Sequence, residues 1–527
     1  MGPIKSLRLM NTLLLNLIYF IWIYNMRIGP PTLLGTTAVV LAVAMAAYYS
    51  RNLPRRTRQI TTDSPRNLAE LPEELILLIF RAVHGTPVPD SKRSLNDVDW
   101  ARYNQGTRDI QNIRLTCRKF RRISSELLIK FVGVDLSLES LARLQAIMRH
   151  PTIGKGVGMI RIRLLAYDWA LNERREIYVD EVRSRMNFHA EFMDPGARLL
   201  VGFYESGLRI GSESTIEKFS KAIEPGYSEF RRRYRAQSRL RKRYFIHAVA
   251  HALGMSRKPW RIEITDQDDF LPLHWQAVYR ATPHNVLDLL SCPRASTWKE
   301  LDDRDGALPR SFAWLVPRIL AAFVDDRICI TELYIDITKT TTFDHNMLLA
   351  GANSTAMQAA LRNVRRFTYI SRTHETLIGR GPGLSSLLYD CLPPASLQIL
   401  ELFQTELPMR CQWPNLTRVW LAGLRVNAHR LARFLQVLEP HRLGIMLNRC
   451  SLSGGSWADV LELLRSRQRW AWLEQPYGEE FDSFWLDLDN YEYVDPAGRH
   501  YGGVTLPERY IRGSIDVNPI RELPDYL

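Results

Sequence analysis

The chain reads as a mixed α+β / α/β protein: a hydrophobic N-terminal helix or helices, a small helical unit, then an irregular strand–helix solenoid closed by a C-terminal β-hairpin. Three observations predict this. Apolar residues recur at helical spacing over residues 71–83, short alternating runs return from residue 131 onward, and the turn signal Asp495-Pro496-Ala497-Gly498 divides an alternating C-terminal stretch. With 527 residues the chain exceeds what one hydrophobic core serves, so several structural units are expected. Hydrophobic residues make up 46% and charged residues 24%, which excludes disorder as the main theme.

Between Leu9 and Tyr49 the only charged side chain is Arg27, and residues 28–49 have the length of a bilayer-crossing helix. Arg51, Arg55, Arg56 and Arg58 follow, and basic residues beside a span favour the cytoplasmic side. Residues 1–50 are therefore expected as a membrane anchor with the remaining chain facing the cytosol. Two other readings stand: a signal peptide, and an apolar segment appended by a mispredicted gene start, in which case the protein is nuclear. Residues 51–67, with Pro54, Pro65 and several Arg and Thr, read as a linker.

The next segment, LPEELILLIFRAV, opens with Pro72 in a first helical turn, where its missing N–H costs nothing. Glu73 and Glu74 then favour the positive end of the helix dipole. Leu75, Ile76, Ile79, Phe80 and Val83 form a stripe, and Leu77 and Leu78 widen the apolar surface beyond one core contact. A second block, DIQNIRLTCRKFRRISSELLIKF, begins at Asp109, a candidate helix cap, and sets Ile110, Ile113, Cys117, Phe120 and Ile123 on one side. Arg118, Lys119, Arg121 and Arg122 stay wet. Surplus apolar surface on so small a bundle marks a partner site; packing against the following domain is the alternative.

The two blocks, LPEELILLIF and RLTCRKFRRI, resemble the F-box of fungal F-box proteins through Leu71, Pro72, Leu75, Ile79, Leu115, Cys117, Arg118 and Phe120. The resemblance covers residues 68–131, about an eighth of the chain. It implies docking to the Skp-type adaptor, and through it the cullin scaffold, of a ubiquitin ligase. The docking residues would be Leu71, Pro72, Leu75, Ile76, Leu78, Ile79, Leu115, Cys117 and Phe120. The segment 84–108 departs from the family by lengthening the connection between the helices, and its composition suits a surface loop.

Beyond residue 131, Val132, Val134 and Leu136 alternate, as do Ile160, Ile162 and Leu164, with a helical stripe between them. Short strands are expected again at 332–337, 366–371, 397–403, 417–423 and 443–452, in steps of about 19 to 34 residues. That spacing predicts a degenerate leucine-rich-repeat-like solenoid over 321–475, with residues 132–320 carrying strand–helix units and a basic insertion, and 476–527 a cap. An α/β domain of other topology is the alternative. The strand followed by Gly455-Ser456-Trp457 is also similar to the ends of fungal F-box proteins.

The chain carries 70 Lys+Arg against 56 Asp+Glu, a net charge of +14. The densest run holds Arg231, Arg232, Arg233, Arg235, Arg239, Arg241, Lys242 and Arg243, with Phe230, Tyr234 and Tyr244 interleaved. A solvated helix face, a nuclear-import signal and an RNA patch are all compatible with it; nucleic acid is not the expected partner. The six cysteines (Cys117, Cys292, Cys329, Cys391, Cys411 and Cys450) form no CxxC clip and suit a reducing compartment. His247 and His251 share a helical face, but Ala248 stands where a metalloprotease helix needs Glu. No phosphate-cradle loop and no GxSxG elbow occurs in the sequence. The expected protein is a non-catalytic adaptor without cofactor or metal, recruiting a protein target. The alternatives are a membrane-tethered or nuclear scaffold without a ubiquitination role, and an RNA-binding protein.

Overall fold

Side chains in a strand alternate between two faces, so parallel strands in register align residues of one kind into rows. The chain places Val132, Ile160, Ile262, Leu333, Phe367, Leu400, Val419 and Ile445 in one such row. A second row, two residues on, runs from Val134 through Ile162, Ile264, Ile335, Tyr369, Leu402, Leu421 and Leu447 to Leu473. Every one of these side chains is buried. These rows are the main core.

A computed structural model describes residues 71–84, 100–164, 167, 169–180, 213–266, 315–338, 354–372, 384–405, 407–408, 413–438, 444–466, 470–474, 480, 492–494, 500–502 and 506–522. The chain divides into two units, Met1–Lys130 and Phe131–Leu527. The expected anchor at 28–49 and the linker at 51–67 lie outside the described residues. Among the described helices, none is long and apolar enough to cross a membrane.

In the first unit, helices α1 (Glu73–His84), α2 (Trp100–Thr116) and α3 (Arg118–Ser124) pack together. Two expectations are corrected here. Asp109 does not cap a helix, because α2 begins nine residues earlier, and residues 100–108 of the expected loop are helical. Cys117 does not join the apolar side either: it is exposed in the break between α2 and α3, where its Sγ accepts from the Phe120 N–H at 3.4 Å.

The second unit is mixed α/β. Its nine-stranded parallel sheet comprises β1 (Phe131–Asp135), β2 (Met159–Arg163), β3 (Pro259–Thr265), β4 (Cys329–Thr338), β5 (Arg366–Arg372), β6 (Ile399–Phe403), β7 (Arg418–Ala422), β9 (Gly444–Asn448) and β11 (Trp470–Glu474), in that spatial order. Two short strands, β8 (Arg425–Asn427) and β10 (Ser451–Gly454), pair with each other. Helices line up in the same sequence: α4 (Leu138–Arg149) lies beside α6 (Lys242–Gly254), α6 beside α7 (Leu315–Asp325), α7 beside α8 (Ser354–Leu361), and α8 beside α9 (Leu384–Cys391). The long helix α5 (Glu213–Arg239) precedes α6, and α10 (Ala428–Val437) packs on α11 (Trp457–Ser466).

The expected boundary at residue 320 is corrected, since one sheet runs unbroken from β1 to β11. Strands β3 and β11 were not expected, and the single strand expected at 443–452 is two, β9 and β10, divided at Arg449, whose φ is 49°.

The sheet's other face carries a row running Gly133, Arg161, Glu263, Tyr334, Thr368, Glu401, Trp420 and Met446. Opposite charges meet across strands there: Arg161 with Glu263 at 2.8 Å, Arg261 with Glu332 at 2.9 Å and Arg366 with Glu401 at 2.7 Å. The Thr368 hydroxyl donates to the second Glu401 oxygen at 2.6 Å.

At the C-terminal end, the alternating stretch forms the expected antiparallel pair, β12 (Glu492–Val494) with β13 (His500–Gly502). The contacts that hold the chain end come from residues 506–522. Arg465 of α11 stacks over Tyr510 at 4.4 Å and pairs with Asp516 at 2.7 Å, and Asn518 donates to the Ala458 carbonyl at 3.0 Å. Ser456 caps α11 by accepting from the Ala458 N–H, and Glu480 accepts from the Trp457 N–H at 2.6 Å. These contacts hold Trp457 almost fully buried.

Candidate docking site

Helix α1 has two apolar faces. Ile76, Phe80 and His84, four residues apart, turn into the bundle and are buried, and Ile76 and Phe80 form one cluster with Ile110, Ile123 and Leu127. Phe120 sets its ring edge-on to Phe80 with centroids 5.2 Å apart. The other face is a stripe at spacings i, i+3, i+4, i+7 and i+8: Leu75 and Ile79 are half-buried, and Leu78, Ala82 and Val83 are exposed. Leu78 is 43% and Val83 42% exposed, and Leu115 near the end of α2 is 85% exposed. Covering each such side chain is worth roughly 1.5–3 kcal/mol, so this face is more apolar than a solvated surface requires.

The two sequence blocks converge in space. Lys119 of α3 donates from Nζ to the Leu71 carbonyl at 3.1 Å, and Arg122 pairs with Glu73. The Pro72 carbonyl accepts from the Leu75 and Ile76 N–H groups, both at 3.1 Å, closing the first turn of α1. Pro72, Cys117 and Arg118 are exposed beside these links, while Leu71 and Phe120 are half-buried. Ile76 is corrected: with no exposed surface it belongs to the bundle's own core and cannot meet a partner. Leu77 packs against that core, as do the half-buried docking candidates Leu71, Ile79 and Phe120. Ala82 and Val83 extend the free stripe, which was legible by continuing the i, i+3, i+4 count from Leu75.

His84 ends α1 almost fully buried. Burial, reinforced by the Lys130 charge and opposed by Asp109, lowers its pKa from 6.5 to about 4, so it is neutral at pH 7. The unfolded chain binds the proton more readily than the folded one. The His84 contribution to stability is therefore complete above pH 6.5 and is lost as pH falls towards 4. A shift of this size corresponds to about 3 kcal/mol. Denaturant unfolding at pH 7 and pH 4.5 should show that loss in the native chain, and His84→Gln should flatten it.

The basic run is divided by the fold. Arg232 and Arg233 both pair with Glu229 at 2.6 Å, and these guanidinium hydrogen bonds depress the Glu229 carboxyl to about 2. Arg231 lies over the Tyr227 ring at 5.7 Å. Lys242 donates to the Gln237 carbonyl at 2.9 Å, and burial lowers its pKa. Phe230 is fully buried in a cluster with Leu171, Tyr178, Ile223 and Tyr227, so it is not available for stacking. Arg235, Arg239, Arg241 and Arg243 are exposed.

His247 and His251 are both exposed on α6. Among the described residues no group of three or more His, Cys, Asp or Glu side chains is placed to hold a metal.

No family model, curated protein or solved structure matches the chain.

Proposed function

We propose that the protein is the substrate-recognition subunit of a Skp–cullin–F-box ubiquitin ligase, with the helical unit as its F-box. The observation that carries this reading is the second apolar stripe of α1, Leu75-Leu78-Ile79-Ala82-Val83, in which Ile79 packs against the bundle's core while Leu78, Ala82 and Val83 stay exposed. A preformed helix with such a stripe suits a partner that contributes its own apolar helices. The link from Leu71 and Glu73 to α3 supports it by holding the Leu-Pro turn against the Cys117-Arg118 segment. We read the chain-ordered parallel sheet as a degenerate, leucine-rich-repeat-like solenoid that presents a protein target. The subunit would be non-catalytic and would accelerate transfer by holding the target near the ligase.

Leu78 and Val83 are exposed, so Leu78→Asp with Val83→Asp should leave the fold intact. Recovery of the Skp-type adaptor by the tagged full chain should fall at least tenfold, an expectation set by losing about 1.4 kcal/mol or more of apolar contact. Undiminished recovery would exclude the adaptor reading. Leu71→Ala with Pro72→Ala tests the same interface at the start of the helix.

A further inference from the structure

We propose a second binding surface, independent of the docking helix: the corner between α5 and α6 binds single-stranded nucleic acid. Arg235 and Arg239, one turn apart, project from the end of α5, and Arg241 and Arg243 open α6. All four are exposed, and none has an acidic partner among the described residues. Like charges so grouped repel one another unless an anion neutralises them. The first turn of α6 holds no acidic residue.

The free face of α6 continues this surface. Phe245, Ile246, Val249, Ala252 and Leu253 are buried, while Arg243, Tyr244, His247 and His251 share the opposite sector and are exposed. Tyr244 is 54% exposed, far more than a tyrosine needed for packing. Guanidinium groups beside exposed rings, about one helical turn apart, match a phosphate backbone whose unpaired bases stack on side chains. An acidic polypeptide would use the arginines but leave Tyr244 and His247 without a role. An anionic membrane would need several apolar side chains, and among the described residues of α6 Tyr244 is the one large apolar side chain exposed. The observations therefore favour nucleic acid.

The test is fluorescence anisotropy of a labelled 20-nucleotide oligouridine with the full chain across a potassium chloride series. Four phosphate contacts predict a slope of log K against log salt of about −3. R235Q/R239Q/R241Q/R243Q should bring that slope near zero, and Tyr244→Ala should weaken binding about tenfold, as loss of one stacked base does. R231Q/R232Q/R233Q should leave affinity unchanged, because those residues are engaged with Tyr227 and Glu229. Absence of binding by the native chain, an unchanged slope in the quadruple variant, equal competition by polyglutamate, or retention on phosphatidylserine vesicles in place of the oligonucleotide would each overturn the proposal. Far-ultraviolet circular dichroism of every variant separates these outcomes from unfolding.

Discussion

Glu401→Ala should destabilise the sheet unit by about 3–5 kcal/mol, the range for removing one partner of a buried ion pair. The side chains of Arg366 and Glu401 are 10% and 5% exposed, and the carboxylate also accepts from Thr368. Without Glu401, the buried Arg366 guanidinium loses its ion-pair partner, and Glu332, in register with it on β4, is already engaged by Arg261, so its desolvation is poorly compensated. Arg366→Met combined with Glu401→Leu removes both charges and should recover most of the loss. Denaturant unfolding of the native chain, Arg366→Met, Glu401→Leu and their combination as a double-mutant cycle, with Glu401→Ala beside them, measures this. If Glu401→Ala costs under 1 kcal/mol, the pair is not a buried electrostatic contact.

Gly106→Ala should destabilise the helical unit by about 3 kcal/mol or more, at the upper end of overpacking costs. A Cβ at this position would run into the His84 carbonyl oxygen, and a backbone atom at a helix end cannot turn aside as a side chain can. The substitution must push α1 away from α2, opening the contact between Ile76, Phe80 and Ile110. On helix propensity alone alanine would gain about 1 kcal/mol over glycine, so the sign of the measured change separates packing from propensity. The same variant should lose adaptor recovery, because the stripe from Leu75 to Val83 is displaced with its helix.

Local patterns carried much of the architecture. Alternation at Val132, Val134 and again at Ile160, Ile162 marked β1 and β2, because period-two burial is written in neighbouring residues. Strand β3 carries the same alternation in Trp260, Ile262 and Ile264 and was open to the same reading; what the sequence did not show is that Arg261 and Glu263 between them meet Glu332 and Arg161. Gly106 read as a loop glycine because its reason for existing lies on another helix. In the basic run, eight cations looked alike along the chain. The helix turn decided otherwise: it brought three of them onto Glu229 and Tyr227 and left four at a corner.

By itself the sequence determined where apolar stripes and alternations occur, and so the presence of a helical unit from Leu71 and a strand–helix unit beyond Lys130. Tertiary structure alone decided that Ile76 faces inward while Leu78 and Val83 face out, and that buried charges on the sheet meet their opposites. The reason is that periodicity identifies a face of an element, whereas burial depends on which other element comes to lie against that face.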